Sequence, residues 1–369
     1  MDHDDERRRT ARHWSRYEPR VDRTFFGFPP LRPYLIQTAF GGADAEVHAD
    51  NRWWAEDIVV GRYLAERAPS SLLSLCCGFG AVEQHLMSRL PSVTTCTAVD
   101  IAPLAVAEAR RRAQVAGLGD AINYEVADLT DYPWQPRTFD LVVANGALHH
   151  LANVEDVLDG VSRTLTTGGR LFANEHIGAR RQDFAARQLE LINAAAYVVP
   201  PDLRRRHPRR HHPFESHRAG RLADVMLGNT DLGRTQMPAE WDWVHRTTAR
   251  VLRHLTLPPR VDFGALVRSQ ARELEATDPS ECVCSDRIVP AVEERFDNVH
   301  VHQYGGALLA YALDQTFFER FDASSSRDVR LLEALCSLES ALVQSGELPS
   351  EHAIIVATKP PIVEDSAAR

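Results

Sequence analysis

Ser71-Leu72-Leu73-Ser74-Leu75-Cys76-Cys77-Gly78-Phe79-Gly80 is the stretch that decides the fold. Three leucines run straight into Gly78-x-Gly80, and a helical pattern starts at Ala81. Strand, tight glycine turn and helix, in that order, set backbone N–H groups and a helix N-terminus against a charged small molecule. The turn alone leaves the ligand open, NAD included.

Outward from the turn, strands and helices alternate. The pattern predicts strands over 71–76, 94–99, 122–126, 139–144 and 170–174. Between them helices are expected over 81–90 and 103–116, the second opened by Pro103 and stopped by Gly117. A further helix presents Val154, Val157, Leu158, Val161 and Leu165, with Gly168-Gly169 as its stop. Phe139 to Ala144 is largely apolar, as a strand buried on both faces must be. The alternation lapses after Glu175 for about a hundred residues. It resumes with a helix near 286–296, a strand over 299–303, helices near 307–320 and 328–345, and a last strand over 352–358. Such a period means a doubly wound, mostly parallel α/β sheet, here of seven strands. Residues 1–50 read as irregular, because Pro29, Pro30, Pro33 and Gly41-Gly42 interrupt them; a helix is expected over 51–66. The resulting divisions are an N-terminal segment (1–70), a core (71–177), a helical insertion (178–285) and the completion of the sheet (286–369); a lid role for the first and a substrate-cap role for the third rest on fold-level analogy.

Bulk properties exclude several classes. The chain has 369 residues and a net charge of −9, with no overall pull toward nucleic acid or membrane. No apolar run approaches the roughly 20 residues of a spanning helix, and the first residues show no secretory h-region. Six cysteines without a paired C-x-x-C pattern fit a reduced cytoplasmic setting rather than disulfides or zinc. Lys359 is the lone lysine, so a Walker loop is excluded and one Schiff-base candidate is left. The arginine bias reads as the composition of a GC-rich, bacterial genome.

Asp100 ends the second strand, twenty residues after Gly80, where a carboxylate can accept both hydroxyls of a ribose. Asp128 ends the third strand, and an acceptor there suits an adenine amino group. Glu83 stands where a pyrophosphate turn wants Gly or Ala, so the pattern asks for an adenosine ligand without phosphate. At this point the chain resembles a class I S-adenosylmethionine-dependent methyltransferase. The resemblance rests on L-S-L-C-C-G-F-G at 73–80, T-A-V-D at 97–100, Ala127-Asp128-Leu129, F-D-L-V-V-A-N-G-A-L-H-H-L at 139–151 and L-T-T-G-G-R-L at 165–171. The closing H-A-I-I-V-A-T-K-P at 352–360 is similar to the antiparallel last strand of that fold.

The resemblance implies S-adenosylmethionine as cofactor. It places Cys77, Gly78 and Gly80 at the methionine moiety, Asp100 on the ribose and Ile101 against the adenine. It also places Asp128 and Leu129 at the adenine edge and Asn145 beside the sulfonium. Two positions depart from the family, which has an acid where this chain has Ser74 and Gly where it has Cys76. His149, His150 and Glu175 are the candidate bases, since each follows a strand end on the rim of the cleft. Each also has a plainer reading, His149 and His150 as packing at a helix start and Glu175 as a cap or a partner of Arg180 or Arg181.

The expected activity is methyl transfer to a small-molecule intermediate of bacterial secondary or cell-surface metabolism. Nucleic acid and membrane partners are not expected, and a homodimer stays open. Two rival readings keep the fold: a lyase or cyclase that uses S-adenosylmethionine without methyl transfer, and a non-catalytic interaction protein. The basic run at 204–212 could grip an anionic substrate or stand as a solvated loop. His207, His211 and His212 within it lack carboxylate or cysteine partners at metal-ligand spacing.

Overall fold

Strand β1 (Ser71–Leu75) sits near the middle of the sheet because leucines fill both of its faces. Leu73 and Leu75 point to one side, and Leu72 and Ser74 to the other. The computed structural model describes residues 3–16, 24–42, 51–204 and 262–361. Around β1 stand β2 (Thr95–Asp100), β3 (Ile122–Val126), β4 (Phe139–Asn145), β5 (Leu165–His176), β6 (Asp297–Gln303) and β7 (His352–Thr358). Their order is β3-β2-β1-β4-β5-β7-β6, with β7 antiparallel to both of its neighbours. The seven-stranded α/β sheet read from the sequence is therefore present. The order reverses at β1, between β2 and β4, and the C-terminal ends of the strands open a crevice there.

The helices are α1 (His3–Trp14), α2 (Arg32–Phe40), α3 (Trp54–Val59), α4 (Ala81–Arg89), α5 (Pro103–Val115) and α6 (Val154–Thr164). After them come α7 (Ala186–Val198), α8 (Phe263–Thr277), α9 (Ile288–Glu293), α10 (Leu309–Ala312), α11 (Asp314–Arg320) and α12 (Ser326–Gln344). Leu86 and Met87 of α4 and Val106, Ala109 and Ala113 of α5 cover the face of Leu72, Ala98, Leu141 and Phe172. Val154, Val157, Leu158 and Val161 of α6, with Ile288 and Val292 of α9, cover the face of Leu73, Val142 and Leu171. At about 25 cal/mol per Å² of apolar surface, these two faces supply the main drive for folding.

Three expectations need correction. Residues 1–50 are not wholly irregular. Pro33 lies in the first turn of α2 and Gly41, at φ 76°, caps its end, so the breakers punctuate a helix instead of preventing one. The helix expected over 51–66 is α3 followed by a single π turn, Val60–Leu64. Gly168-Gly169 do not stop α6, which already ends at Thr164. They form a bulge inside β5, whose register runs from Leu165 to Arg170 while β4 runs from Phe139 to Leu141.

Residues 204–262 cluster as a separate unit. The basic run from 205 on and residues 205–261 of the expected helical insertion lie outside the described residues. Residues 178–203 and 263–285 belong with the sheet. Among the described residues no helix is long and apolar enough to cross a membrane.

Gly160 provides a test of packing on α6. A Cβ there would lie 2.4 Å from the Trp134 ring. Ala ordinarily stabilises an exposed helix interior by about 1 kcal/mol over Gly. Here Gly160→Ala should instead lower stability by about 1–3 kcal/mol, read as a fall in the urea midpoint.

Candidate functional site: the crevice at the strand ends

Asp100 knits the crevice floor. Its Oδ2 accepts the Gly78 N–H at 2.8 Å and its Oδ1 accepts the Ala102 N–H at 2.8 Å. The Cys77 N–H is held by the Val99 carbonyl at 3.0 Å. Asp100 is 6% exposed, and burial raises its pKa against the pull of these backbone donors. A carboxylate has about four lone-pair sites, so two remain for ligand hydroxyls. Cys76, Gly78 and Gly80 all have positive φ, 48°, 53° and 80°. Cys76 thus occupies a conformation that favours glycine, at a cost of about 1–2 kcal/mol. A Cβ on Gly80 would lie 2.5 Å from the Tyr124 hydroxyl and 2.9 Å from Ala109 Cβ, so only glycine fits there. Above Gly78 there is open space, with no atom within 4 Å of an added Cβ.

Asp128 caps the short turn Leu129–Asp131, its Oδ1 accepting the Thr130 N–H at 2.8 Å. Its Oδ2 meets Arg7 Nε of α1 at 2.7 Å. The Leu129 side chain is buried in the core of the second face, while Ile101 is half-buried at the bend after β2. Asn145, at the end of β4, donates its amide to Glu56 Oε1 at 2.8 Å. Glu56 comes from α3 and is 4% exposed; burial pushes its pKa up to about 7.

Glu175, at the end of β5, has its oxygens committed within the protein. Oε1 accepts the N–H groups of Ala147 and Leu148, each at 2.9 Å, and Oε2 pairs with His149 Nδ1 at 2.7 Å. Its partner is His149, and Arg181 reaches the Pro279 carbonyl instead. Burial opposes protonation of His149, but the Glu175 carboxylate outweighs it and raises the pKa. Among the described residues His149 Nε2 makes no hydrogen bond.

His150 turns the other way. Its Nδ1 lies 3.2 Å from Ser280 Oγ and 3.6 Å from Asp278 Oδ2, and its ring meets Trp14 edge-on at 5.1 Å. Burial and the neighbouring His149 lower its pKa. The loop bearing Asp278, Glu281 and Cys282 is zipped to this turn by Val283 N–H to the His149 carbonyl at 3.0 Å and Cys284 Sγ to the Leu148 carbonyl at 3.1 Å. A ring nitrogen of His149, a Glu281 oxygen and the Cys282 sulfur lie within 4.8 Å of one another, as do ligand atoms of His150, Asp278 and Glu281. Asp278 and Glu281 already have protein partners. Asp278 accepts from Trp14 Nε1, Ser280 N and Ser280 Oγ, and Glu281 Oε1 accepts from the Cys282 thiol.

Beyond the dyad the wall is aromatic. Tyr304 donates to Asn174 Oδ1 at 2.8 Å, stacks on Phe25 at 6.5 Å and meets Trp54 edge-on at 5.8 Å. His176 and His352 lie 5.1 Å apart. Burial pushes His176 down to about 3 and His352 well below its ordinary value, so both are neutral. Lys359 is far from the chemistry. Its Nζ donates to the Leu165 carbonyl at 2.7 Å, at the opposite end of β5 from Glu175, which removes it as a Schiff-base candidate.

Sequence reasoning missed Glu56 and the loop at 278–285. Glu56 falls between Trp54 and Ile58 of an otherwise buried helical stripe, and an acid on that stripe was its available signal. Nothing in the linear pattern brings residues 278–285 to His149.

The residues at 73–173 match a methyltransferase domain. The ubiquinone/menaquinone biosynthesis C-methyltransferase UbiE of Cereibacter sphaeroides is 28% identical over 125 residues, which are 34% of this chain and 49% of that protein. The 27-O-demethylrifamycin SV methyltransferase of Amycolatopsis mediterranei is 32% identical over 105 residues, 28% of this chain and 38% of that one. Among solved structures, geranyl diphosphate C-methyltransferase from Streptomyces coelicolor, in complex with Mg2+, geranyl diphosphate and S-adenosyl-L-homocysteine, aligns over 96% of this chain and 97% of its own. The identity is 12% and the TM-score 0.45. The [4+2]-cyclase SpnF aligns over 83% and 82%, with 13% identity and a TM-score of 0.42. The chain spans about half the length of the first of these curated relatives. Residues 73–173 are thus similar to the methyltransferase domain of class I S-adenosylmethionine-dependent enzymes, a family whose cofactor is S-adenosylmethionine. The crevice fits this ligand, with open space over Gly78 and two unused acceptor sites on Asp100.

Glu56 makes the stability of the fold depend on pH. Its pKa is about 7 in the folded protein and 4.5 when exposed, so the folded state holds a proton that the unfolded state has lost. Stability from this group is therefore present at low pH and falls as pH rises from about 4.5 to about 7, by on the order of 3 kcal/mol. Glu83, also pushed up to about 7, and Glu351, pushed up to about 6, act in the same direction, so Glu56→Gln should reduce that slope in urea melts without abolishing it.

Proposed function

We propose that the protein transfers a methyl group from S-adenosylmethionine to a compact small molecule whose acceptor atom must lose a proton. The acceptor is taken to be a biosynthetic intermediate of bacterial secondary or cell-surface metabolism. The observation behind the base assignment is the buried His149–Glu175 pair at 2.7 Å, with His149 Nε2 making no hydrogen bond among the described residues.

The bound cofactor supplies an electrophilic methyl group, so the protein's task is positioning and removal of a proton. Positioning alone can be worth about 7–11 kcal/mol. Glu175 accepts from His149 Nδ1–H, and this fixes the tautomer in which Nε2 keeps its lone pair. Nε2 then takes the acceptor's proton, and the imidazolium that forms is held by Glu175, with Glu281 and Asp278 adding charge from the adjoining loop. Glu175 acts through His149 and is a positioning residue. His150 carries less of the base role, because its pKa is lowered and its Nδ1 faces Ser280. His176 and His352 stay neutral and pack with Tyr304, Phe25 and Trp54, surroundings that suit an acceptor with an apolar or aromatic body.

His149→Ala should reduce S-adenosylhomocysteine formation with a panel of small hydroxyl and carbon-acid acceptors by about 10²–10⁴-fold. Its affinity for S-adenosylhomocysteine should stay within about threefold in calorimetry, because the change leaves the glycine turn and Asp100 untouched. A base must be neutral, so kcat/KM should rise with pH through the raised pKa of His149. Glu175→Gln removes the nearest opposing charge; the acid limb should move to lower pH and kcat should fall. Release of methylthioadenosine from S-adenosylmethionine without any acceptor would replace methyl transfer by a lyase or cyclase reaction.

A further inference from the structure

Among the described residues several buried carboxylates are well supplied with donors. Glu175 accepts two backbone N–H groups and the His149 ring. Glu339 accepts the N–H groups of Gly306, Leu308 and Leu309 and the Tyr34 hydroxyl. Glu351 accepts the Gln188 amide and the Ala179 N–H. Glu83 is 0% exposed, yet its Oε2 has a single long hydrogen bond, from Ser74 Oγ at 3.3 Å. Its Oε1 has no partner, and among the described residues no other buried carboxylate oxygen is left so. The nearby Tyr124 hydroxyl and Ser74 lower its pKa as hydrogen-bond donors and Asp100 raises it; none of these side chains is cationic.

A fully buried polar atom without a partner costs about 1–3 kcal/mol, and more when charged. Its persistence calls for a partner that the chain itself does not provide. Glu83 is the third residue of α4, directly after the Gly78-x-Gly80 turn, and its side chain folds back beneath that turn to the end of β1. Burial pushes its pKa up to about 7 in the ligand-free protein, and both the helix N-terminus and a bound cation would favour the charged form. A ligand with its ribose on Asp100 and its adenine toward Asp128 extends its amino-acid end the other way, toward β1 and β4. That end bears an α-ammonium, a cation with three donors.

We infer that Glu83 is a cofactor-binding residue: its carboxylate supplies the negative charge for the α-ammonium of the S-adenosyl ligand, and the Ser74 hydroxyl bridges the two. The charge that β1 lacks at Ser74 thereby reaches the same place from α4. This assignment rests on the cofactor identified above and adds a residue to its site.

Calorimetry with two ligands tests it. S-adenosylhomocysteine has the α-ammonium and methylthioadenosine lacks the whole amino-acid end. Glu83→Gln should weaken S-adenosylhomocysteine by about 10- to 100-fold, as expected for a charged hydrogen bond, and leave methylthioadenosine within about twofold. Ser74→Asp added to Glu83→Gln should restore most of the loss, because it returns a carboxylate to β1. Equal loss of both ligands would show a collapsed turn and overturn the assignment, as would unchanged affinity for S-adenosylhomocysteine or failure of Ser74→Asp to rescue. Failure of the wild-type chain to bind S-adenosylhomocysteine would instead refute the cofactor reading itself. Ser74→Ala, which leaves Glu83 in place and removes only the bridge, should give an intermediate loss.

Discussion

One carboxylate holds two chain reversals together. Asp100 takes the Gly78 N–H with one oxygen and the Ala102 N–H with the other, and so ties the loop after β1 to the loop after β2. Without that bond the glycine turn has no reason to lie over the sheet edge, and α4 and α5 lose a common reference. The same two bonds leave Asp100 with acceptor capacity at the strand ends, where the proposed cofactor would set its ribose. Structural and ligand roles coincide here because a carboxylate has more acceptor sites than the backbone needs.

The crevice divides into halves of different chemistry. The half over β1, β2 and β3 is acidic and set by backbone geometry: Asp100, Asp128 and Glu83 close to left-handed turns. The half over β4, β5 and β7 is aromatic, with histidines in contrasting states. Glu175 raises the pKa of His149, while burial lowers those of His176 and His352. One strong partner therefore separates His149 from ring systems of the same type a few ångströms away. Glu56, linked to Asn145, stands where the halves meet.

Strand order and strand ends were legible because buried parallel strands leave continuous apolar runs, and acids at their C-terminal ends interrupt those runs abruptly. Asp100 and Asp128 stood out for this reason. Glu175 was visible as a residue but not as a role. Its commitment to His149 and two backbone groups depends on how β5 sits beside the turn after β4, a contact between residues 26–28 positions apart. Glu83 was read only as hostile to a diphosphate, since its burial follows from α4 packing on β1 and β3. Proline and glycine misled twice for one reason. Both residues mark where elements begin, end or bulge, as at α2 and β5, and the pattern alone does not say which.

Lys359 is held by the Leu165 and Arg163 carbonyls and is 9% exposed. Burial also lowers its pKa. It is the lone side-chain amine in the sequence, and it serves to close the junction of α6 and β5. Amine-directed reagents therefore meet a surface whose cations are all guanidinium and imidazole. Lysine cross-linkers and acylating labels have a single, shielded side-chain target, and distance restraints for this protein have to come from carboxylate or thiol chemistry.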